Sequence, residues 1–169
     1  MSDDRAPAAF ARMGLADLVQ DSLARLELQD LDAEALAAGS RGHAFSRHGA
    51  DAALEEQYIR AVTGLTPDGV QEASRFSSSR FLSNEDQLDA INQARSLFEQ
   101  AQASGLGTND FNISFGRTVG EGFNRFGTSY QQTSVARVVF NSDGTVLTAF
   151  PEVVNNGVDV FPLLPPRAP

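Results

Sequence analysis

The sequence predicts an α+β domain in which N-terminal helices pack on a small antiparallel C-terminal sheet. Three observations lead there. Apolar residues recur at three- and four-residue steps in segments between Leu15 and Ala101, the period of amphipathic helices. After Gly107 the period changes to alternation, the period of half-buried strands. The 169 residues suffice for one hydrophobic core.

Residues 1–14 are small and polar and read as a loose lead-in. A helix follows from Leu15 to about Ala38, with Leu15, Leu18, Val19, Leu23 and Leu26 as its apolar stripe and Gly39 as its stop. The stripe is expected to pack on the domain or to bind a partner. A second helix spans Asp51 to Thr63, capped by Asp51, with Leu54, Tyr58, Ala61 and Val62 on one face. Thr66-Pro67-Asp68-Gly69 is a turn. A short strand is expected at Arg80-Phe81-Leu82. Ser83 or Asn84 then caps a third helix, whose buried face is Leu88, Ile91, Ala94, Phe98 and Ala101.

Phe111, Ile113 and Phe115 alternate with polar residues and predict the first strand of the sheet. Gly116 to Gly127, with four glycines, reads as a loop or bulged hairpin. Thr133–Phe140 and Thr145–Phe150 are strands joined by the turn Asn141-Ser142-Asp143-Gly144, and Pro151 ends the second. The organisation is therefore an acidic lead-in and helix over 1–40, a central domain over 41–151, and a proline-rich tail over 152–169.

Composition excludes several chemistries. Cysteine is absent, so neither a disulfide nor a thiolate metal site can form. Two histidines cannot supply a three-histidine zinc site, and no His-Glu-x-x-His pattern occurs. All 13 basic side chains are arginine, which removes every lysine-dependent mechanism. The Gly-x-Gly-x-x-Gly spacing is missing. No metal and no cofactor is expected. No apolar run has membrane-spanning length and no signal peptide is read, so export would rely on a larger parent chain or a delivery machine. The net charge of −9 opposes simple capture of nucleic acid, but it is heaviest over residues 1–40, with eight acids against three arginines. The central region leaves room for a local basic cleft.

The stretch Gly42-His43-Ala44-Phe45-Ser46-Arg47-His48-Gly49 holds both histidines of the chain. Histidine exchanges protons near neutrality, and arginine matches phosphate geometry. In a regular helix His43 and Arg47 would share a face while His48 pointed about 140° away, so an irregular segment or helix end is needed for both histidines to meet one substrate. Arg117 and Arg125 are candidates to hold a nucleic-acid backbone, and Phe123 and Phe126 to stack bases.

Gly42-His43 with Arg47-His48, Ser78-Ser79-Arg80-Phe81-Leu82 before a helix, and the closing Val138-Val139-Phe140 … Leu147-Thr148-Ala149-Phe150-Pro151 together resemble the C-terminal ribonuclease domains of bacterial polymorphic toxins. These are the warheads of contact-dependent inhibition and Rhs-type proteins, of the RNase A-like or the barnase/EndoU/colicin/RelE group. The resemblance covers about residues 41–151. It implies metal-free RNA cleavage to a 2′,3′-cyclic phosphate, tRNA being one candidate substrate, with His48, Arg60 and Thr148 at the matching positions; His43 and Arg47, read from the histidine stretch, complete the expected catalytic set. Substrate contacts are expected from Phe150 at the matching position, from Arg117 and Arg125 of the glycine-rich loop, and from Tyr130. Phe150 stands where a tyrosine is usual, and Tyr130 is the alternative source of a hydroxyl. The resemblance further implies delivery from a producing bacterium into a target-cell cytoplasm, and a cognate immunity protein. Two other classes stay open: an ADP-ribosylating toxin, with Glu121 and Glu152 as its only late glutamates, and a non-enzymatic binding or immunity-type protein.

Overall fold

The computed structural model describes residues 14–153; the lead-in before Gly14 and the proline-rich tail after Val153 lie outside the described residues. Among the described residues four α-helices come first or lie between the early strands: α1 (Leu15–Ala37), α2 (Ala44–His48), α3 (Leu54–Thr63) and α4 (Asn84–Ala103). The strands are β1 (Ser78–Phe81), β2 (Asp110–Ser114), β3 (Gly120–Phe123), β4 (Tyr130–Thr133), β5 (Val135–Phe140) and β6 (Val146–Pro151). They form two three-stranded sheets, ordered β1-β3-β4 and β2-β5-β6, with every pairing antiparallel. The fold is α+β.

The core lies between α4 and the β2-β5-β6 sheet. Ile91, Ala94 and Phe98 of α4 meet Ile113, Val138, Phe140, Val146 and Ala149 of the strands, and the Phe98 and Phe140 rings sit 4.9 Å apart. Ser83 caps α4 by accepting the Asp86 amide at 3.1 Å.

Several elements differ from the sequence expectation, each for a local reason. The expected strand Thr133–Phe140 is divided at Ser134, because the Thr133 hydroxyl accepts the Val135 amide at 3.1 Å and takes that donor from the ladder. Gly116–Gly127, expected as a loop or bulged hairpin, holds β3, which pairs antiparallel with β4 and is buried without alternation. Its glycines are required there: a Cβ at Gly120 would meet the Pro151 ring, and one at Gly122 the Ser78 carbonyl. Asp51 does not cap α3. It pairs with Arg25 at 2.5 Å, and Glu56 reaches back to the Ala53 amide at 2.7 Å instead.

The largest difference concerns α1. Its leucine stripe is exposed, Leu15 at 81 %, Leu23 at 55 % and Leu26 at 56 %. The face that packs on the body runs through Asp21, Ala24, Leu28, Asp32 and Ala35, at steps of three and four residues. Its two aspartates saturate the orphan amides of other helices. Asp21 accepts the Asn84 amide at 2.7 Å and the Glu85 amide at 3.2 Å, and Asp32 accepts the Ser46 amide at 2.9 Å and the Phe45 amide at 3.3 Å. Leu28, flanked by small and acidic side chains, thus makes the contact that apolar periodicity assigns to Leu15, Leu18, Val19, Leu23 and Leu26.

This assignment is testable by denaturation. Leu28→Ala is expected to cost about 2–5 kcal/mol, the range for a buried leucine. Leu23→Ala is expected to stay within about 0.5 kcal/mol of the parent protein. Equal losses would return the leucine stripe to the core.

Candidate active site

The site is assembled around the segment joining α1 to α2. Gly42 is pressed against α1 so closely that a Cβ would collide with Ala35. That contact brings the next residue to the edge of β6, where the His43 amide donates to the Leu147 carbonyl at 3.0 Å. His43 has φ −153° and ψ 27°, so it stands outside the helix that begins at Ala44. The helical constraint is thereby lifted. His43 and His48 face one cavity, with ring centroids 6.3 Å apart and planes tilted by 43°.

Both imidazoles are oriented by main-chain carbonyls. His43 Nδ1 lies 2.8 Å from the Arg41 carbonyl and His48 Nδ1 lies 2.8 Å from the Ser79 carbonyl. A carbonyl only accepts, so each Nδ1 carries the proton. For His48 the other nitrogen is fixed as well: Arg60 Nη1, which only donates, lies 3.2 Å from Nε2. His48 is therefore a neutral imidazole with its basic lone pair on Nε2. It is 4 % exposed, and its pKa is held well below the ordinary 6.5, first by burial and then by the Arg60 charge, against the opposing Ser79 carbonyl. His43 is half-buried, and burial lowers its pKa from the same value less far, the Arg41 carbonyl opposing.

Arg60 comes from α3, where Gln57, Arg60 and Ala61 form the buried face instead of the expected Leu54 and Tyr58. Gln57 is satisfied by the Arg47 carbonyl at 2.9 Å and the Ser78 hydroxyl at 2.6 Å. Glu72 grips Arg60 through Nε at 3.1 Å and Nη2 at 3.2 Å, leaving Nη1 for the histidine. The same carboxylate accepts Arg47 Nη1 at 3.1 Å, and Arg47 Nε meets Asp68 at 3.0 Å. Arg47 is thus spent on the carboxylates behind Arg60 and does not line the cavity.

Thr148 reaches the cavity from β6, paired across the sheet with Val139. Its Oγ1 is buried without a hydrogen-bond partner. An unsatisfied buried hydroxyl costs about 1–3 kcal/mol and is the kind of group a ligand oxygen relieves. Two residues on, Phe150 lies on the same strand face, its ring 5.3 Å from that of His48. The cavity so bounded has a volume of about 470 Å³.

The remaining expected substrate contacts are engaged elsewhere. Arg117 is paired with Asp86 at the start of α4. Arg125 lies over the Phe126 ring, 4.8 Å from its centroid. The Tyr130 hydroxyl donates to Glu121 Oε2 at 2.6 Å, and burial with that carboxylate pushes its pKa up to about 12. Phe123 is buried beside the Tyr58 and Tyr130 rings, and Phe126 is exposed. None of these lines the cavity. Glu121, bound by Arg80 at 2.9 Å and by Tyr130, is also outside it. Five lining residues stand outside the expected ribonuclease site: Phe76, Ser77, Arg137, Val153 and Glu152, the last named from the sequence only as a late glutamate for the ADP-ribosylating alternative. Two had a sequence signal. Glu152 continues the alternation of Thr148 and Phe150, and the hairpin turn places Arg137 opposite Phe150. Phe76 and Ser77 lie in a serine-rich stretch that carries no period. Among the described residues no group of three or more His, Asp or Glu side chains is placed to hold a metal ion.

No family model, curated protein or solved structure matches the chain.

The neutral, buried His48 makes stability depend on pH. Its folded pKa lies below its unfolded value near 6.5, so the unfolded state binds the extra proton and stability falls as pH falls below 6.5. The slope is expected to approach about 1.4 kcal/mol per pH unit. Urea midpoints between pH 7.5 and 5.5 should show this loss in the parent protein and show less of it in His48→Asn, which keeps a donor for the Ser79 carbonyl and retains only the smaller contribution of His43.

Proposed function

We propose that this chain is a metal-independent endoribonuclease. The observation that supports the reading is the pair of histidines 6.3 Å apart, each fixed through Nδ1 to a backbone carbonyl, beside Arg60 and the unpartnered Thr148 hydroxyl. In this reading His48 Nε2 takes the proton from a ribose 2′-hydroxyl. The 2′-oxygen attacks the adjacent phosphorus and the bond from phosphorus to the 5′-oxygen breaks. Protonated His43 gives its Nε2 proton to that leaving oxygen. The products are a 2′,3′-cyclic phosphate and a free 5′-hydroxyl; His48 then returns its proton to solvent and His43 regains one.

Arg60 and Thr148 are the charge-stabilising groups. Nη1 turns from His48 Nε2 to a phosphoryl oxygen as the 2′-hydroxyl takes its place, and Thr148 Oγ1 donates to a second phosphoryl oxygen. Phe150 supplies no hydroxyl and acts by packing on the His48 ring. Arg47 acts behind the site, sharing Glu72 with Arg60.

The resemblance of Gly42-His43, Arg47-His48 and the closing strand to polymorphic toxin domains extends the proposal to biology. The chain would be delivered from a producing bacterium to a target-cell cytoplasm as part of a larger protein, and would be neutralised by an immunity protein. With a net charge of −9, basic side chains on that partner are expected. No described helix is long and apolar enough to cross a membrane.

The purified chain is expected to cleave RNA in the presence of chelator. His48→Asn should reduce the rate by about 10²–10⁴, and Thr148→Val by less, since it keeps the β-branched shape and loses one donor. The kcat/KM profile should be a bell with its maximum below pH 6.5, the acid limb set by His48 and the basic limb by His43. Undiminished cleavage by a His43→Asn/His48→Asn double variant would overturn the proposal. So would turnover of NAD with no RNA cleavage.

A further inference from the structure

The face of β6 that carries Thr148 and Phe150 does not stop at the strand end. The Glu152 amide donates to the Val135 carbonyl at 2.8 Å, so the pairing with β5 continues one residue past Pro151. Glu152 accordingly falls on the same face as Thr148 and Phe150 and lines the same cavity. At about 6.6 Å per two residues, it stands roughly 13 Å along the strand from Thr148. Across the pairing, Arg137 opposes Phe150 and is the diagonal neighbour of Glu152.

These two charged groups retain unused hydrogen-bonding capacity. The Glu152 carboxylate accepts no hydrogen bond from any described residue, although it sits near the Arg137 charge. Arg137 lines the cavity and is held by Asp110 through Nε at 2.9 Å and through Nη2 at 2.5 Å, while its Nη1 donates to no described residue. Phe76 lines the same cavity and is 54 % exposed, so aromatic surface is available there for stacking.

A carboxylate in a phosphate-binding cleft repels the RNA backbone, so it belongs opposite a base. The order of groups selects which base. Moving from Arg137 to Glu152, the cavity offers a donor and then two acceptor oxygens. The Watson–Crick edge of guanine presents the O6 acceptor and then the N1–H and N2–H donors, complementary at every position. Uracil matches the first two and sets its O2 against the carboxylate. Adenine and cytosine place an amino donor before the arginine and a ring-nitrogen acceptor before the glutamate.

We propose that Phe76, Arg137 and Glu152 form a base-binding subsite for guanine next to the scissile phosphate. The subsite rests on the ribonuclease reading for its link to cleavage, but its binding can be measured alone. Two experiments on the full chain separate the claims. The first is calorimetric titration with guanosine 3′-monophosphate and uridine 3′-monophosphate. The parent protein should bind the guanine nucleotide about 10-fold more tightly, and Glu152→Gln should erase that ratio. Equal affinities, or a ratio that survives Glu152→Gln, would overturn the subsite. The second maps cleavage of a mixed-sequence oligoribonucleotide. Bonds flanked by guanine should react about 10-fold faster than bonds without it. Cleavage at all bonds alike would leave the ribonuclease and remove the guanine subsite. No cleavage together with the expected calorimetric ratio would remove the ribonuclease and leave the subsite.

Discussion

The hydrogen bond from His48 Nδ1 to the Ser79 carbonyl, 2.8 Å long, is the contact on which the candidate site depends. It ties α2 to β1 across 31 residues of sequence and decides the tautomer of the imidazole. Once Nδ1 holds the proton, Nε2 must present its lone pair, and Arg60 can approach it as a donor without the two groups becoming like charges in contact. Burial then keeps the imidazole neutral. Position, tautomer and charge state thus follow from one bond and the packing around it. Glu72 has the corresponding task for Arg60: by occupying Nε and Nη2, it leaves Nη1 as the free arm of the fork.

The long helix α1 takes part in this arrangement at a distance. Asp32 accepts the first amides of α2, and Ala35 packs on Gly42, so the helix sets both the start of α2 and the place of His43. Asp21 does the same for α4, which floors the core beneath β6. The acidic charge of this segment therefore has a structural use at two of its residues, as a source of caps for other helices. Its exposed leucines take no part in the core.

The sequence made the α+β class, α4 and the closing hairpin legible, because Ile91, Ala94 and Phe98 keep a helical period and the Asn141–Gly144 turn fixes a register. It also made His43 and His48 legible through their side-chain chemistry, and Arg60, Thr148 and Phe150 through a resemblance; all five line one cavity. Other features were hidden for physical reasons. Apolar periodicity cannot see a helix face on which Leu28 is flanked by Asp21, Ala24, Asp32 and Ala35, since small and acidic residues carry little hydrophobic signal. It cannot see β3 either, where Gly120 and Gly122 are chosen for close approach to Pro151 and Ser78. Arginines were the least legible residues. Arg47, Arg117 and Arg125 look alike in sequence to Arg60 and Arg137, and only the placement of Asp68, Glu72, Asp86 and the Phe126 ring decides which are occupied away from the cavity.

The ionisation of His48 is the claim from which the mechanism is built. Nitrogen chemical shifts of the histidine rings, followed by NMR from pH 8 to pH 4, measure it directly. The account predicts that His48 carries its proton on Nδ1 alone at neutral pH, and that Nε2 takes one only well below pH 6.5. A His48 ring protonated on both nitrogens at pH 7, or one protonated on Nε2 and bare on Nδ1, would contradict it.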